Sequence, residues 1–126
     1  MQDLFEVFGE PISVYSREQA FEDGVLANLT EIAPDVCAQH YPGVSVACTS
    51  AVWDIIEKAV ANKRHCNDFN GVIHDMLWMS RMFKRVVTES VVIFRVTIKG
   101  AGRKSVYDFR AVLDGDGLTI MNIEED

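Results

Sequence analysis

Residues 91–123, VVIFRVTIKGAGRKSVYDFRAVLDGDGLTIMNI, carry the pattern that decides the fold class. Apolar and polar residues alternate over 91–99 and again over 106–113, which is the two-residue period of strands with one buried face. A glycine-containing loop at 100–104 separates these two strands. The sequence DGDG at 114–117 predicts a tight turn before a third strand. The last third of the chain is therefore predicted to be an antiparallel β-meander.

Helices are predicted to fill most of the chain before this meander. The clearest start is Ser16, an N-cap with Gln19 in a capping box, and Gly24 suits the left-handed end of that helix. The predicted helices cover 4–8, 16–23, 31–40, 49–62 and a longest segment from Asp68 or Asn70 to about Val87. Short β-like runs lie at 12–15, 25–29 and 44–48. We expect a single α+β domain over residues 1–126, with the meander covered by helices.

The longest predicted helix has two different sides. Its apolar side comprises Val72, Met76, Met79, Phe83, Val86 and Val87. The opposite side comprises His74, Trp78, Arg81 and Arg85. Tryptophan and arginine together are typical of interface hot spots, so Trp78, Arg81 and Arg85 are candidate partner-binding residues. The alternative is that another element covers this side and makes Trp78 part of the core.

Composition and cysteine content favour a cytoplasmic globular protein. The chain has 126 residues, of which 48% are hydrophobic and 25% charged, which is ordinary for one globular domain. No apolar run approaches the roughly 20 residues that span a bilayer, so we expect no membrane partner. The first residues lack a basic segment before an apolar core, and we expect no signal peptide. Three cysteines without framework spacing indicate reduced thiols.

Charge is unevenly distributed along the chain, whose net charge is −7. Residues 1–62 hold ten acidic and two basic residues, giving −8, and residues 114–126 hold five acidic residues and no basic one, giving −5. Residues 63–113 hold ten basic and four acidic residues, giving +6. Such segregation leaves two outcomes open. The acidic and basic segments either interleave in space or form separate acidic and basic faces for partners.

Motifs for catalysis, metals and nucleotides are weak, so we assign no catalytic residue, cofactor or metal ligand. Cys37 and His40 resemble half of a zinc site without a matching pair. The basic loop at 100–104 lacks the phosphate-binding spacing and is predicted to be a hairpin tip. An enzyme with an unfamiliar site is left open. A pocket gathering His74, Asp75 or a cysteine, with perturbed ionisation, would favour it.

The segment ISVYSREQAFEDGVLANLTE at 12–31 resembles a family of short bacterial, plasmid and bacteriophage proteins known as a domain of unknown function. The resemblance continues at SAVW (50–53), DMLWMSR (75–81) and LTIM (118–121). It implies a cytosolic accessory protein of mobile elements and supplies no activity, cofactor or catalytic residue. The regions 43–47 and 63–69 match less well.

Small acidic proteins of mobile elements commonly occupy a host machine, which suggests a function. We expect stoichiometric binding to a host protein or nucleoprotein complex, such as a CRISPR–Cas-like defence nuclease, because an acidic surface can mimic a phosphate backbone. The candidate partner-binding acids are Glu18, Glu22, Glu31, Asp23 and Asp35, with Glu124, Glu125 and Asp126 in the tail. The alternatives are nucleic-acid binding through Arg81, Lys84, Arg85, Arg95, Lys99, Arg103 and Lys104, or the unrecognised enzyme. A homodimer is also left open.

Overall fold

The computed structural model describes residues 16–125, so the predicted helix at 4–8 and the strand at 12–15 lie outside the described residues. The described chain is an α+β domain of helices and one sheet. The helices are α1 (Arg17–Glu22), α2 (Leu29–Ile32), α3 (Pro34–His40), α4 (Ser50–Ala61) and α5 (Phe69–Met82). The strands are β1 (Leu26–Asn28), β2 (Val46–Thr49), β3 (Lys84–Val86), β4 (Val91–Thr97), β5 (Val106–Asp114) and β6 (Gly117–Asn122).

The strands form one mixed sheet in the order β1-β2-β6-β5-β4-β3. The predicted meander is confirmed, since β4, β5 and β6 are antiparallel neighbours. The short strands from the first half of the chain extend it. β2 pairs in parallel with β6, with Cys48 opposite Ile120, and β1 pairs antiparallel with β2. Within the described residues, β1 and β3 are therefore the two outer strands of the sheet.

The core lies between one face of the sheet and the helices. The alternating residues of the meander face inward, and Phe94, Phe109 and Ile120 are among the fully buried side chains. Ile56 of α4 and Met76 of α5 are buried in the same hydrophobic cluster. Alternation along a strand therefore predicted the buried face correctly, because burial on one side of a pleated strand imposes that period.

Local capping signals place most helix starts as predicted. Ser16 caps α1 in a capping box with Gln19, and Gly24 follows with a φ of +76°. Thr49 caps α4, and Asp68 rather than Asn70 caps α5. These side chains satisfy backbone N–H groups that the first helical turn leaves unpaired.

Two helix predictions are wrong in detail. The predicted helix at 31–40 is split into α2 and α3, because Pro34 takes the first position of a new helix, where its missing N–H is tolerated. The longest helix ends at Met82 instead of near Val87. Residues 84–86 instead form β3, which pairs with Val92–Phe94 of β4, so long-range strand pairing overrides the helical pattern.

Candidate functional site

An open groove of about 610 Å³ lies along β1. Its carboxylates are Glu18 and Glu22 from α1 and Glu31 from α2. Its apolar side chains include Phe21, Leu26, Ile32 and Trp53. Three of the eight acidic residues singled out in the sequence therefore meet in one concave surface. We call it the acidic groove.

Local sequence determines where these carboxylates lie. Glu18 and Glu22 are four residues apart on α1, so they project from the same side of that helix. Asn28 caps α2 by accepting a hydrogen bond from the Glu31 backbone N–H at 3.2 Å. That cap places Glu31 in the first turn of α2, and both α1 and α2 contribute residues to the groove. Two capped short helices thus present acidic side chains to the same strand.

No basic residue is among the described residues that line the acidic groove. The one basic residue of α1, Arg17, is instead bound to the sheet. Its guanidinium donates to Thr119 Oγ1 and to the Leu118 carbonyl, each at 2.8 Å, and to Ser45 Oγ at 3.2 Å. Burial lowers the pKa of Arg17, and the nearby carboxylates of Asp114 and Asp116 act against that shift. Among the described lining residues, the groove carboxylates therefore have no neutralising cation, and the nearby Arg17 guanidinium lies 5.6 Å from the centroid of the Phe21 ring.

The floor of the acidic groove is a strand with one open side. β1 pairs with β2 on one side, and in residues 16–125 no strand pairs with its other side. Leu26, Ala27 and Asn28 are each partly exposed and line the groove. An open strand edge offers backbone donors and acceptors to an extended chain.

The other candidate acids lie outside the groove lining. Asp23 is the C-cap of α1, and Asp35 lies exposed in the first turn of α3. From the tail, Glu125 accepts hydrogen bonds from Thr49 Oγ1 at 2.8 and 3.0 Å, immediately before Ser50 of the groove. Asp126 lies outside the described residues. Glu125 is thus held by Thr49 and does not line the groove, so the described candidate acids other than Glu18, Glu22 and Glu31 lie outside it.

The polar side of α5 is partly covered by α3. Arg81 Nη1 donates to His40 Nδ1 at 3.2 Å, and the His74 ring contacts the His40 ring edge-on with 4.9 Å between centroids. Trp78 stacks on His74 with 6.2 Å between centroids and remains 42% exposed. Desolvation lowers the pKa of His40, and the neighbouring His74 and Arg81 lower it further. Within the described residues, Trp78 is thus packed against His74 and partly accessible, and its role as a partner-binding residue stays a prediction.

Arg85 does not share this side of α5, because the helix has already ended. It lies on β3, whose three residues are all exposed. Around it the large apolar side chains Met82, Phe83, Val86 and Val87 are also exposed. Phe83, Val86 and Val87, which the sequence pattern grouped on the apolar side of the predicted helix, therefore lie beyond the end of α5 and are exposed. We call these four residues, with Lys84 and Arg85, the β3 edge patch, and contiguous exposed apolar surface of this kind commonly marks an interface.

The basic residues considered for nucleic-acid binding lie on several elements. Arg95 is paired with Asp108 through bonds of 2.7 and 3.0 Å, and Lys84 Nζ donates to the Arg81 carbonyl at 2.7 Å. Lys104 Nζ lies 5.0 Å from the centroid of the Tyr107 ring. Several of these cations are therefore already engaged within the protein.

A second groove, of about 520 Å³, bears on the hypothesis that the protein is an enzyme with an unrecognised site. It is lined by His65, Cys66, His74 and Asp75, among others. Cys66 has a φ of +54°, and its thiol donates to the Lys63 carbonyl at 3.8 Å rather than to a histidine. A catalytic thiol needs a base within hydrogen-bond reach, and Cys66 does not have that contact. Among residues 16–125, no three His, Cys, Asp or Glu side chains are grouped to hold a metal ion.

Sequence reasoning missed Trp53 as part of the site. Trp53 is partly exposed, lines the acidic groove and stacks on Phe69 with 5.3 Å between centroids. The i,i+4 spacing of Glu18 and Glu22 was a usable signal for a shared acidic surface. No local sequence pattern indicated that α4 would place Trp53 in the same groove as Glu18 and Glu22.

Comparison with known proteins adds no relative, since no family model, curated protein or solved structure matches this chain. None of the helices in the described part of the chain has the length and apolar character needed to cross a membrane. Function is therefore inferred from the geometry and charge of the groove, together with the sequence resemblance.

Proposed function

We propose that this protein acts by stoichiometric protein binding and that its acidic groove receives a basic segment of the partner. One observation carries the proposal. Glu18, Glu22 and Glu31 converge along β1, which within residues 16–125 pairs with a strand on one side only, and none of the described lining residues is basic.

The chemistry of the groove suits lysine- and arginine-containing peptide. Carboxylates next to apolar walls attract cations more strongly than carboxylates in open water, because the local dielectric is lower. Phe21 and Ile32 can contact the alkyl parts of lysine and arginine side chains, and the Trp53 ring can receive a cation on its face. Long-range attraction raises the association rate and weakens with salt.

The partner we propose is a basic component of a host nucleic-acid-handling complex. Proteins that hold a phosphate backbone use rows of lysine and arginine, and a groove of carboxylates competes for those side chains. The resemblance to plasmid and bacteriophage proteins favours a mobile-element role. The protein would then inhibit a host defence complex of the CRISPR–Cas kind by occupying its basic surface.

Binding of a fluorescent extended peptide rich in lysine and arginine tests the groove. We expect the double variant Glu18→Gln with Glu22→Gln to raise the Kd about tenfold, because two attractive charges are lost. The matched control Asp35→Asn removes an exposed carboxylate outside the groove and should leave the Kd unchanged. Equal effects of both variants would contradict the proposed site.

Capture from a bacterial lysate tests the partner class. Immobilised protein should retain nucleic-acid-binding proteins that added DNA or salt releases, and the double glutamine variant should retain much less. Retention of the same proteins by both forms would overturn the role of the groove.

Direct nucleic-acid binding is the second candidate, and the exposed Arg81, Lys84 and Arg85 at the junction of α5 and β3 favour it. A salt titration of DNA and RNA binding separates it from the first. A steep loss of affinity with salt, reduced by Arg103→Ala and Lys104→Ala, would support nucleic-acid binding. No binding at low salt would exclude it.

A further inference from the structure

We infer that a second copy of this chain places its β3 edge patch in the acidic groove, so that copies associate head to tail. The inference shares the groove with the proposed function but concerns a different occupant. The argument for it comes from the two outer strands of one sheet.

The two strands are matched in length, although β1 is partly buried and β3 is exposed. β1 (Leu26–Asn28) and β3 (Lys84–Val86) each have three residues and lie at opposite ends of the strand order. Within the described chain, each pairs with another strand on one side only. Unpaired strand edges readily pair with each other, since each carries free backbone donors and acceptors.

The two surfaces are complementary in charge. The acidic groove has three carboxylates, whereas β3 carries Lys84 and Arg85. Lys84 Nζ is bound to the Arg81 carbonyl, so of the two described cations of β3 we expect Arg85 to pair across the interface. Glu89 follows in the loop after β3 and is the acidic residue of that region. Opposite charges steer the two edges together and disfavour pairing of one β3 with another.

The two surfaces also match in apolar character. Phe83 and Val86 are 65% and 63% exposed, which is unusual for side chains of this size. Within β3, Arg85 projects to one face of the strand, and Lys84 and Val86 project to the other. The groove offers apolar side chains beside its carboxylates, including Phe21 and Trp53. Docking would therefore bury apolar surface of both copies and, at the same time, pair Arg85 with a carboxylate of the groove.

The geometry of such a contact predicts its symmetry. Different surfaces of the two copies meet, so the contact is heterologous and has no two-fold axis. Each added copy leaves one free groove and one free β3 edge patch, which gives an open chain or a closed ring. A basic partner in the groove would compete with this association.

Sedimentation velocity of the purified full chain tests the inference. The weight-average mass should rise with protein concentration at ~0.05 M salt and fall at ~0.5 M salt, where charges are screened over a few ångströms. Glu22→Lys and Arg85→Glu should each weaken self-association about tenfold or more, because each places like charges in contact. An equimolar mixture of the two variants should associate again. The groove of the Glu22→Lys variant then meets the β3 edge patch of the Arg85→Glu variant, and the two altered charges attract.

Matched controls and alternative outcomes make the test decisive. Asp35→Lys and Arg103→Glu carry the same charge reversals outside both surfaces and should self-associate like the unaltered chain. Circular dichroism confirms folding, and Glu18→Lys replaces Glu22→Lys if the latter does not fold. A monomer at all concentrations, or a dimer insensitive to Glu22→Lys, would overturn the inference.

The same variants separate this inference from the proposed function. Arg85→Glu leaves the groove intact, so it should still bind a foreign basic peptide. Peptide binding without self-association would support the proposed function and contradict the head-to-tail contact. Self-association without peptide binding would support the head-to-tail contact and contradict the proposed function.

Discussion

His40 is a buried histidine whose chemistry is altered by its surroundings. It is only 4% exposed, and its Nδ1 accepts a hydrogen bond from Arg81. The ring proton therefore lies on Nε2, which is buried and has no hydrogen-bond partner in the described structure. Protonation of Nδ1 would remove the bond and place a second positive charge beside Arg81. Burial and these neighbours keep the pKa of His40 below its ordinary value of about 6.5.

The lowered pKa of His40 predicts a loss of stability in mild acid. Because the unfolded chain binds this proton more readily, the stabilisation is complete above about pH 6.5 and is lost as pH falls toward the folded-state pKa. Urea unfolding at pH values from 7.5 down to 5.5 should show a steeper decline for the unaltered protein than for His40→Gln. His65→Gln, at an exposed histidine, serves as the control. Parallel declines for all three proteins would contradict this account.

The parallel pairing of β2 with β6 joins the two halves of the sheet, and it depends on a close approach at Gly117. The Leu118 backbone N–H donates to the Ser45 carbonyl at 2.8 Å. Gly117 has a φ of +133°, and a Cβ there would lie 2.3 Å from the Ser45 oxygen. Only glycine allows both this backbone conformation and this distance.

Substitution at this glycine should therefore disrupt the junction of the two strands. Gly117→Ala is expected to lower the free energy of unfolding by about 3 kcal/mol, through backbone strain and overlap with backbone that cannot move away. Gly115→Ala is the matched control, because a Cβ there meets nothing within 4 Å. Chemical denaturation measures both. Equal stability of the two variants would show that the β2–β6 contact can relax.

At the scale of the whole molecule, Arg17 connects the acidic groove to the sheet. It lies 28 residues before Ser45 and 102 before Thr119, and it binds both. α1 has six residues, too few to be a stable helix in isolation, so its position depends on such tertiary contacts. Because Glu18 and Glu22 lie on α1, Arg17 positions the groove without lining it.

Arg17→Met should consequently affect stability and binding together. We expect the free energy of unfolding to fall by about 2 kcal/mol, since hydrogen bonds from a charged, half-buried donor are lost. Affinity for a basic peptide should also fall, although the groove keeps all of its carboxylates. Arg103→Met, at an exposed loop residue, should change neither quantity. Calorimetry and peptide titration measure the two effects, and normal peptide affinity in folded Arg17→Met would refute the positioning role.

The site was predictable only in part from the sequence. Glu18 and Glu22 share a helix side by spacing, and asparagine is a favoured N-cap, as Asn28 is for α2, so one wall of the groove follows from local rules. The convergence of Glu31 and Trp53 on β1 depends on packing between elements that are not adjacent along the chain. The sequence did not indicate that the β3 edge patch is exposed, because its residues also fit a continuation of the preceding helical pattern.

The sequence by itself determined the α+β class, the meander and most helix starts, since strand alternation and helix capping are set by neighbouring residues. Only the tertiary structure decided that β2 lies beside β6, that α5 stops at Met82 and that three carboxylates share one groove. These features depend on contacts between distant segments. Their free energies outweigh local preferences, and no short window of sequence contains them.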